Sequence, residues 1–235
     1  MDYKQKNHEI ILKLTAAEQS GVFDWLEERS RPFLSLMNYY KCAMMEVETK
    51  FKVLNEEYAF AYERNPISSI KTRLKRVTSI KEKMLRRNFP MTLESIEQNL
   101  NDIAGIRVIC SFPQDVYTLS ESLLKQDDIR LIERKDYIAA PKPNGYRSLH
   151  LIVATPIYLA DGPREMKVEV QLRTIAMDFW ASLEHQMHYK KDVHFTEDME
   201  RELLACAEMS AALDGRMDEL RRKTEQYIPI NCKGA

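Results

Sequence analysis

The sequence lacks a dominant charge, a cysteine framework and a long apolar run. Its 35 basic and 36 acidic side chains give a formal net charge of −1, so no overall field draws the protein to nucleic acid or anionic lipid. The four cysteines are far apart and lack the spacing of a metal site or a disulfide framework. No stretch approaches the roughly 18 apolar residues of a membrane helix, and the charged N-terminus lacks a signal region. We therefore expect a soluble cytoplasmic protein without a membrane partner.

The length and composition predict a folded domain with helical extensions. A chain of 235 residues, 44% of them hydrophobic, can bury a real core. Between positions 23 and 51, apolar side chains recur mostly at three- and four-residue intervals, which predicts helix. Thr15 and Glu18 have the spacing of a capping box, and Pro32 is expected to begin a second helix. We assign this N-terminal region to packing or assembly.

The segment 137–151 is the stretch around which the chain is organised. Two prolines and an Asn-Gly pair at 141–145 forbid regular helix and predict a tight loop. Tyr146, Arg147 and His150 follow at once, so an aromatic ring, cations and an imidazole lie within a few residues of one another. That set suits a purine and its phosphates. A surface turn that leads into a strand is the alternative interpretation.

The one basic concentration of the chain lies on both sides of Glu82, which is the only acidic residue there. Ser79 and Glu82 have the spacing of a capping box. That cap would leave Arg73 and Lys75 on an extended lead-in and Lys83 on the first helical turn. Such a turn favours phosphate, because its free N–H groups and the helix dipole attract anions. The alternatives are a solvated helix face and a patch that binds single-stranded RNA.

A buried strand is predicted over residues 103–112, which are rich in Ile, Val and Cys, after a short helix over residues 92–100. Asp102 stands at the mouth of this strand, where a carboxylate can hold a hard cation that bridges phosphates. A cap or turn aspartate is the alternative. Period-2 alternation puts Asp102 and Arg107 on opposite faces. If both serve one site, a bulge at Gly105 or a strand that begins after Asp102 is required.

Three more strands are predicted downstream, one of which follows the central loop with Leu149, Leu151 and Val153 in alternation. Ser111, Pro113 and Gln114 have the pattern of a helix start, with Ser111 as N-cap, and residues 129–133 follow that helix as a strand. The segment 166–172 gives the clearest strand pattern, because apolar side chains fill one face. This face indicates core, and the opposite face is either an exposed charged edge or the floor of a site. The opposite face consists of Lys167, Glu169, Gln171 and Arg173.

The C-terminal third is predicted to form two helices. Thr174 is expected to cap the first helix, and Thr196 begins the last, which Pro229 ends. His185 and His188 on the first helix lack a convincing third ligand, so we interpret them as structural or solvated. Both helices carry apolar residues assigned to packing rather than to a cofactor. These are Met177, Trp180, Leu183 and Met187 on the first helix, and Leu203, Leu204, Ala207 and Leu213 on the last.

The alternation of strands and helices predicts an α/β (α+β) fold, with a mixed sheet of about five strands flanked by helices. The segment from Lys142 to His150, KPNGYRSLH, resembles the nucleotide-acceptor motif of the RelA/SpoT-type synthetases, specifically the small alarmone synthetases. The resemblance extends, in order, to RLK at 73–75 with SIKEK at 79–83, DIAGIR at 102–107 and EVQLRT at 169–174. It implies a nucleotidyltransferase-like core over residues 67–191, between an N-terminal helical region at 1–66 and a C-terminal helix at 192–235.

The resemblance also implies a reaction, the transfer of the ATP β,γ-pyrophosphate to the ribose 3′-hydroxyl of GDP or GTP, which gives ppGpp or pppGpp. Asp102 and Glu169 would hold Mg²⁺, with Glu169 also placed to take the hydroxyl proton. Arg73 and Arg107 would sandwich the adenine, a use for which lysine is a poor substitute. The remaining ATP contacts, implied for the phosphates, are Lys75, Ser79 and Lys83.

The implied acceptor site has Tyr146 stacked on guanine. Glu133 stands where many relatives carry a basic residue, so the preference between GDP and GTP stays open. Small alarmone synthetases commonly form homotetramers, which implies a homo-oligomer here. Long family members also carry a His-Asp hydrolase domain, and no His-Asp pair occurs in this sequence, so degradation is not expected. The full implied acceptor set is Lys135, Lys142, Asn144, Tyr146, Arg147, His150, Gln171 and Arg173.

Two other classes of function remain open at this stage. A different nucleotidyltransferase would use the same carboxylates without needing the acceptor residues from Tyr146 to His150. A non-catalytic RNA-binding module would use the basic segment and the scattered tyrosines.

Overall fold

The computed structural model describes the backbone of residues 3–188 and 195–226, and the side chains of residues 30–187 and 195–224. The chain divides into two compact units, Met1–Tyr39 and Tyr40–Ala235. Within the described ranges, no helix is long and apolar enough to span a membrane. Pro229 and the side chain of His188 lie outside the described residues.

The first helix, α1 (Tyr3–Tyr62), is continuous and contains Pro32 in its interior. The expectation that Pro32 begins a second helix is therefore wrong, as is the cap at Thr15, which also lies inside α1. A proline in a helix interior removes one backbone donor, and α1 accommodates that loss. In the larger unit, the side chains that α1 buries recur at helical spacing: Tyr40, Ala43, Val47, Phe51 and Leu54.

The core of the larger unit is a five-stranded sheet in the order β1-β2-β5-β4-β3. Strands β2 and β5 are parallel, and every other neighbouring pair is antiparallel, so the predicted mixed sheet is confirmed. The strands are β1 (Ile67–Leu74), β2 (Ala104–Cys110), β3 (Arg130–Asp136), β4 (Leu149–Leu159) and β5 (Gly162–Thr174).

Five further helices accompany the sheet in the described part of the chain. Thr92, Thr174 and Thr196 accept hydrogen bonds from the N–H groups three residues ahead, at 3.2, 3.2 and 3.3 Å, which confirms the predicted caps at Thr174 and Thr196. The helices are α2 (Val77–Arg86), α3 (Leu93–Asn99), α4 (Pro113–Leu124), α5 (Ile175–His188) and α6 (Glu197–Gln226).

The predicted start of α2 is wrong. The helix begins at Val77, with Arg76 as its N-cap, so Ser79 lies inside the helix and Lys83 in its last turn. The helix buries Ile80 and Met84, one turn apart, which are 2% and 0% exposed. Arg76 makes no side-chain capping bond, so a side-chain cap does not set the start of α2.

The predicted cap of α4 is also wrong by one residue. Phe112 is the N-cap and Pro113 follows it, as the first-turn proline predicted. The Asp115 carboxylate, rather than Gln114, accepts a hydrogen bond from the Phe112 N–H at 3.1 Å. Arg64 holds that carboxylate through two hydrogen bonds of 2.7 and 2.6 Å, a partner that local sequence spacing does not reveal.

One face of the sheet is apolar, as the alternation in β5 predicted. Val168, Val170 and Leu172 are fully buried, whereas the residues between them are partly exposed. Strand β2 begins at Ala104, after Asp102, which is one of the two arrangements that period-2 alternation required.

The apolar stripes of α5 and α6 extend beyond the core. Met177, Trp180 and Ala207 are buried, but Leu183 and Met187 are 42% and 40% exposed. Leu213 is 59% exposed and does not belong to the core of this chain, and the expectation that the whole α5 stripe packs in the core is wrong for Leu183 and Met187. Periodicity identifies the apolar side of a helix without revealing how far along the helix the core extends.

Candidate active site

A row of polar side chains crosses the second face of the sheet. In the strand register, Lys71 pairs with Arg107, Arg107 with Gln171, Gln171 with His150, and His150 with Lys135. Residues that lie opposite each other on paired strands point to the same face. We call these five residues the polar row. The polar row brings Arg107, predicted to bind ATP (the donor side of the reaction), onto one face with residues predicted to bind GDP or GTP (the acceptor side). The latter are Gln171, His150 and Lys135.

Asp102 lies two residues before β2, beside two lysines. Its Oδ2 atom is 2.9 Å from Lys75 Nζ and 2.8 Å from Lys83 Nζ, whereas Oδ1 is buried without a hydrogen-bond partner. Burial alone would raise the pKa of Asp102, but hydrogen bonds from Lys83 and Lys75 bring the pKa below its ordinary value. The carboxylate is therefore ionised at neutral pH, with one oxygen available to a cation.

Glu169 lies on β5 beside Gly105, the second residue of β2. Arg73, on β1, pairs with the other side of Gly105, so Arg73 belongs to the row next to the polar row. Glu169 Oε1 is 3.4 Å from His150 Nδ1. This contact connects Glu169, the predicted proton acceptor, to His150 on β4, a residue of the predicted GDP/GTP site.

Two of the residues predicted to bind the ATP phosphates, Lys75 and Ser79, lie at the start of α2. Lys75 directly precedes the N-cap residue Arg76, which makes no side-chain capping bond, and Ser79 is half-buried in the first turn. The free N–H groups of such a turn favour a phosphate. Four other basic residues of this segment, to which the sequence assigned no role, are exposed: Arg76, Lys81, Arg86 and Arg87.

An aromatic cluster surrounds Tyr146. The Tyr146 hydroxyl accepts a hydrogen bond from Arg173 Nη2 at 2.5 Å and lies 2.8 Å from His150 Nε2. Lys142 Nζ is 4.7 Å from the centroids of both the Tyr146 and the Tyr137 ring, a cation–π distance. The structure therefore brings together predicted acceptor residues and adds Tyr137, whose aromatic ring beside the loop was the available signal.

Helix α6 packs at Gly145 against the loop that joins β3 to β4, residues 137–148, which we call the acceptor loop. Gly145 has φ +85°, and a Cβ atom there would lie 2.5 Å from Ala207 Cβ and 3.1 Å from Leu204 Cδ1. The Gly145 N–H donates to the Lys142 carbonyl at 2.8 Å, which closes the turn. A glycine is needed here both for its backbone conformation and for the close approach of the helix.

Asn144 and Arg147 are the predicted acceptor residues with described contacts outside the aromatic cluster. Asn144 Oδ1 accepts from the Tyr146 N–H at 3.2 Å, and Arg147 Nη1 donates to the Ile138 carbonyl at 3.2 Å. Lys135 belongs to the polar row, but its Nζ pairs with Glu133 at 2.9 Å. Hydrogen bonding to Glu133 raises the pKa of Lys135, so this lysine keeps its charge.

Three cations of this face contact Asp178, a residue that the sequence did not reveal as part of a site. Its Oδ2 is 3.0 Å from Lys71 Nζ, and its Oδ1 is 3.2 Å from Arg107 Nη1 and 3.4 Å from Arg173 Nη1. Burial would raise the pKa of Asp178, but these cations lower it below the ordinary value. Asp178 is an acidic residue in the first turn of α5, where such residues commonly stabilise the helix dipole, so its position gave no specific signal.

Comparison with known proteins places this geometry in a family. The model of a region found in RelA and SpoT proteins matches residues 72–194. GTP pyrophosphokinase YwaC from Bacillus subtilis is 41% identical over 186 residues, which cover 79% of this chain and 89% of that protein. The crystal structure of small alarmone synthetase 2 from Bacillus subtilis has a TM-score of 0.74 at 39% identity, and the match covers 81% of this chain and 98% of that chain. Small alarmone synthetase 1 from Bacillus subtilis, bound to its product pppGpp, has a TM-score of 0.71 at 36% identity, covering 78% and 93%.

Proposed function

The chain belongs to the RelA/SpoT family, and on that premise we propose that it is a GTP pyrophosphokinase. It transfers the β,γ-pyrophosphate of ATP to the 3′-hydroxyl of GDP or GTP and releases AMP. The observation that carries this proposal is the polar row, which runs from Arg107 on the donor side to His150 and Lys135 on the acceptor side. Glu169 lies between them, where the two nucleotides would meet.

The residues present fit a divalent cation. An ionised carboxylate oxygen without a partner, Asp102 Oδ1, is a ligand of the kind that Mg²⁺ prefers. Among the residues the structure describes, no group of three or more His, Cys, Asp or Glu is arranged to hold a metal. We propose that Asp102 and Glu169 are the residues that would hold Mg²⁺. When bound, the ion would neutralise phosphate charge.

The chain's own residues supply the proton acceptor and the alignment. Glu169 takes the proton of the 3′-hydroxyl, and that oxygen attacks the β-phosphorus of ATP. The bond between the β-phosphorus and the oxygen that bridges to the α-phosphate breaks, and AMP leaves with that oxygen. His150 orients the Glu169 carboxylate through the 3.4 Å contact.

The nucleotides bind through the two sides of the face. Arg73 and Arg107 stack on the adenine, and Lys75, Ser79 and Lys83 hold the ATP phosphates. Tyr146 stacks on the guanine, an interaction open to any planar aromatic side chain. The acceptor phosphates bind to the cations and amide around it: Lys135, Lys142, Arg147, His150, Gln171 and Arg173.

The exposed apolar residues of α5 support a homo-oligomer, which we propose to be a tetramer. Ile175, Phe179, Leu183 and Met187 recur every four residues and are 54%, 64%, 42% and 40% exposed. A contiguous exposed stripe of this kind is typical of a surface that another subunit covers.

A labelling experiment tests the proposed function. Purified protein is incubated with γ-labelled ATP, Mg²⁺ and either GDP or GTP, and the products are separated by chromatography. We expect label in a guanosine product that forms only when both nucleotides are present. Comparison of GDP with GTP measures the acceptor preference. Absence of any labelled guanosine product from a folded protein would refute the proposal.

A further inference from the structure

Asp178 contacts cations from three different strands. Lys71 lies on β1, Arg107 on β2 and Arg173 on β5, and the side chain of each reaches the Asp178 carboxylate from the same face of the sheet. Both carboxylate oxygens are used, since Oδ2 accepts from Lys71 and Oδ1 from the two arginines. One carboxylate therefore sets the position of two guanidinium groups.

The two arginines belong to opposite sides of the proposed reaction. Arg107 is assigned to ATP. Arg173 lies in the site assigned to GDP or GTP, where it donates a hydrogen bond to the Tyr146 hydroxyl at 2.5 Å. Tyr146 in turn contacts His150 at 2.8 Å, and His150 contacts Glu169 at 3.4 Å. A continuous chain of polar contacts thus runs from Arg107 through Asp178 to Glu169.

Arg173 depends on Asp178 for its charge balance. Arg173 is 4% exposed, and a buried cation without a counter-charge is strongly unfavourable. Its other hydrogen-bond partners are neutral, namely Tyr146, Gln171 and Ser148. Asp178 is the carboxylate within reach of its guanidinium group in the described part of the chain.

We propose that Asp178 is a positioning residue that orients Arg107 for ATP and Arg173 for the guanine nucleotide at the same time. This inference rests on the proposed function, because that function assigns the two arginines to two different nucleotides. A purely structural ion pair between α5 and the sheet would stabilise the fold without affecting the affinity of either nucleotide.

Calorimetric titration of Asp178→Asn with a non-hydrolysable ATP analogue and, separately, with GDP tests the inference. Because both arginines lose the carboxylate that orients them, we expect both Kd values to rise about tenfold or more, which is about 1.4 kcal/mol in binding. The matched control is Asp115→Asn, another buried aspartate paired with an arginine, which lies outside the site. It should lose stability while both Kd values, per folded molecule, stay at those of the wild type.

A second variant separates positioning from charge compensation and covers the case in which Asp178→Asn does not fold. Asp178→Glu keeps the charge but moves the carboxylate by about 1.5 Å, one carbon–carbon bond. We expect Asp178→Glu to raise both Kd values as well. Unchanged Kd values in either folded variant, or a rise for one nucleotide alone, would overturn the inference.

The outcome is distinguishable from failure of the proposed function. A wild-type protein that binds both nucleotides but forms no guanosine product refutes the function, and the positioning role still stands or falls on the two Kd values. A wild-type protein that forms product while Asp178→Asn binds both nucleotides normally refutes the positioning role alone. A wild-type protein that binds neither nucleotide refutes both.

Discussion

At the scale of single residues, Glu169 and Asp102 illustrate what sequence does and does not reveal. Both carboxylates stand out from their neighbours, one on a charged strand face and one at the mouth of a strand. The pairing of Asp102 with Lys75 and Lys83 follows only from folding, since the lysines approach it from another strand end and from a helix. Asp178 was missed for the same reason, because its partners lie on three strands.

The carboxylate assignments predict the effect of neutral isosteres. Glu169→Gln keeps the shape of the side chain but removes the charge that accepts the proton and holds the cation. We expect the turnover rate to fall by about 10² or more, the usual scale for a lost acid–base group, with a similar fall for Asp102→Asn. Steady-state kinetics on folded variants measures this. Near-normal turnover of either variant would refute its assignment.

Stacking predicts a selective effect of Tyr146. Tyr146→Ala should raise the acceptor KM far more than the ATP KM, by about 1–3 kcal/mol in binding, because a base–ring contact is lost. Tyr146→Phe keeps the ring and should largely rescue binding, although it loses the hydroxyl contacts with Arg173 and His150. Equal weakening of both substrates would argue that Tyr146 merely supports the fold.

At the scale of elements, the pattern predicted β2 to β5 and most helices, and where β1 lies it predicted only an extended segment. It failed where tertiary contacts set the boundaries. The helix predicted over residues 92–100 and the helix predicted from a cap at Ser111 lie close to the observed α3 and α4. The predicted start of α2 was wrong, because the helix begins at Val77 and Ser79 lies inside its first turn instead of capping it. Local spacing describes which caps are available, and packing selects among them.

The contact between α6 and the acceptor loop predicts a selective effect of Gly145→Ala. The added Cβ would clash with Ala207 of α6, so we expect the loop to shift and the acceptor KM to rise, with a stability loss of about 1–3 kcal/mol. The matched control is Gly162→Ala, which has φ +128° but no atom within 4 Å of the new Cβ. Similar acceptor KM values for both variants would contradict a role of α6 in shaping the loop.

A buried carboxylate on α6 predicts a pH-dependent effect. Burial is the largest cause of the raised pKa of Asp214, and the Thr174 hydroxyl, which donates to it at 2.6 Å, opposes that rise. Because the folded state binds this proton more tightly than the unfolded state, stability is lost as pH rises from about 3.9, the ordinary value, through the folded-state pKa.

Asp214→Asn should remove that loss while still accepting the hydrogen bond from Thr174. We therefore expect the variant to gain stability relative to the wild type as pH rises through that window. Denaturant unfolding of both proteins at a series of pH values measures the difference. A difference that does not change with pH would contradict the assigned cause.

At the scale of the whole molecule, the sheet separates its two tasks. Its apolar face builds the core, and its polar face carries the site, so period-2 alternation in β5 predicted both. The order of strands could not be derived from that alternation, because pairing between distant segments depends on tertiary packing. The polar row exists only because β2 and β5 are neighbours although they are far apart in sequence.

The exposed stripe of α5 predicts an effect on assembly. Phe179→Glu places a charge in the centre of that stripe, so we expect the mass measured by light scattering to fall below that of the wild-type oligomer. The control is Tyr158→Glu, at another exposed aromatic position, 77% exposed and outside the stripe. A wild-type protein that is monomeric at all concentrations would refute the assembly.

In the proposed reaction, the β,γ-pyrophosphate of ATP moves as a unit to a guanosine nucleotide across the polar face. Phosphorus NMR of ATP, GDP and Mg²⁺ with the protein follows every phosphate at once. We expect AMP and a 3′-diphosphate on the guanosine nucleotide to appear together, in equal amounts. Formation of ADP, or of free pyrophosphate without a 3′-diphosphate, would contradict it.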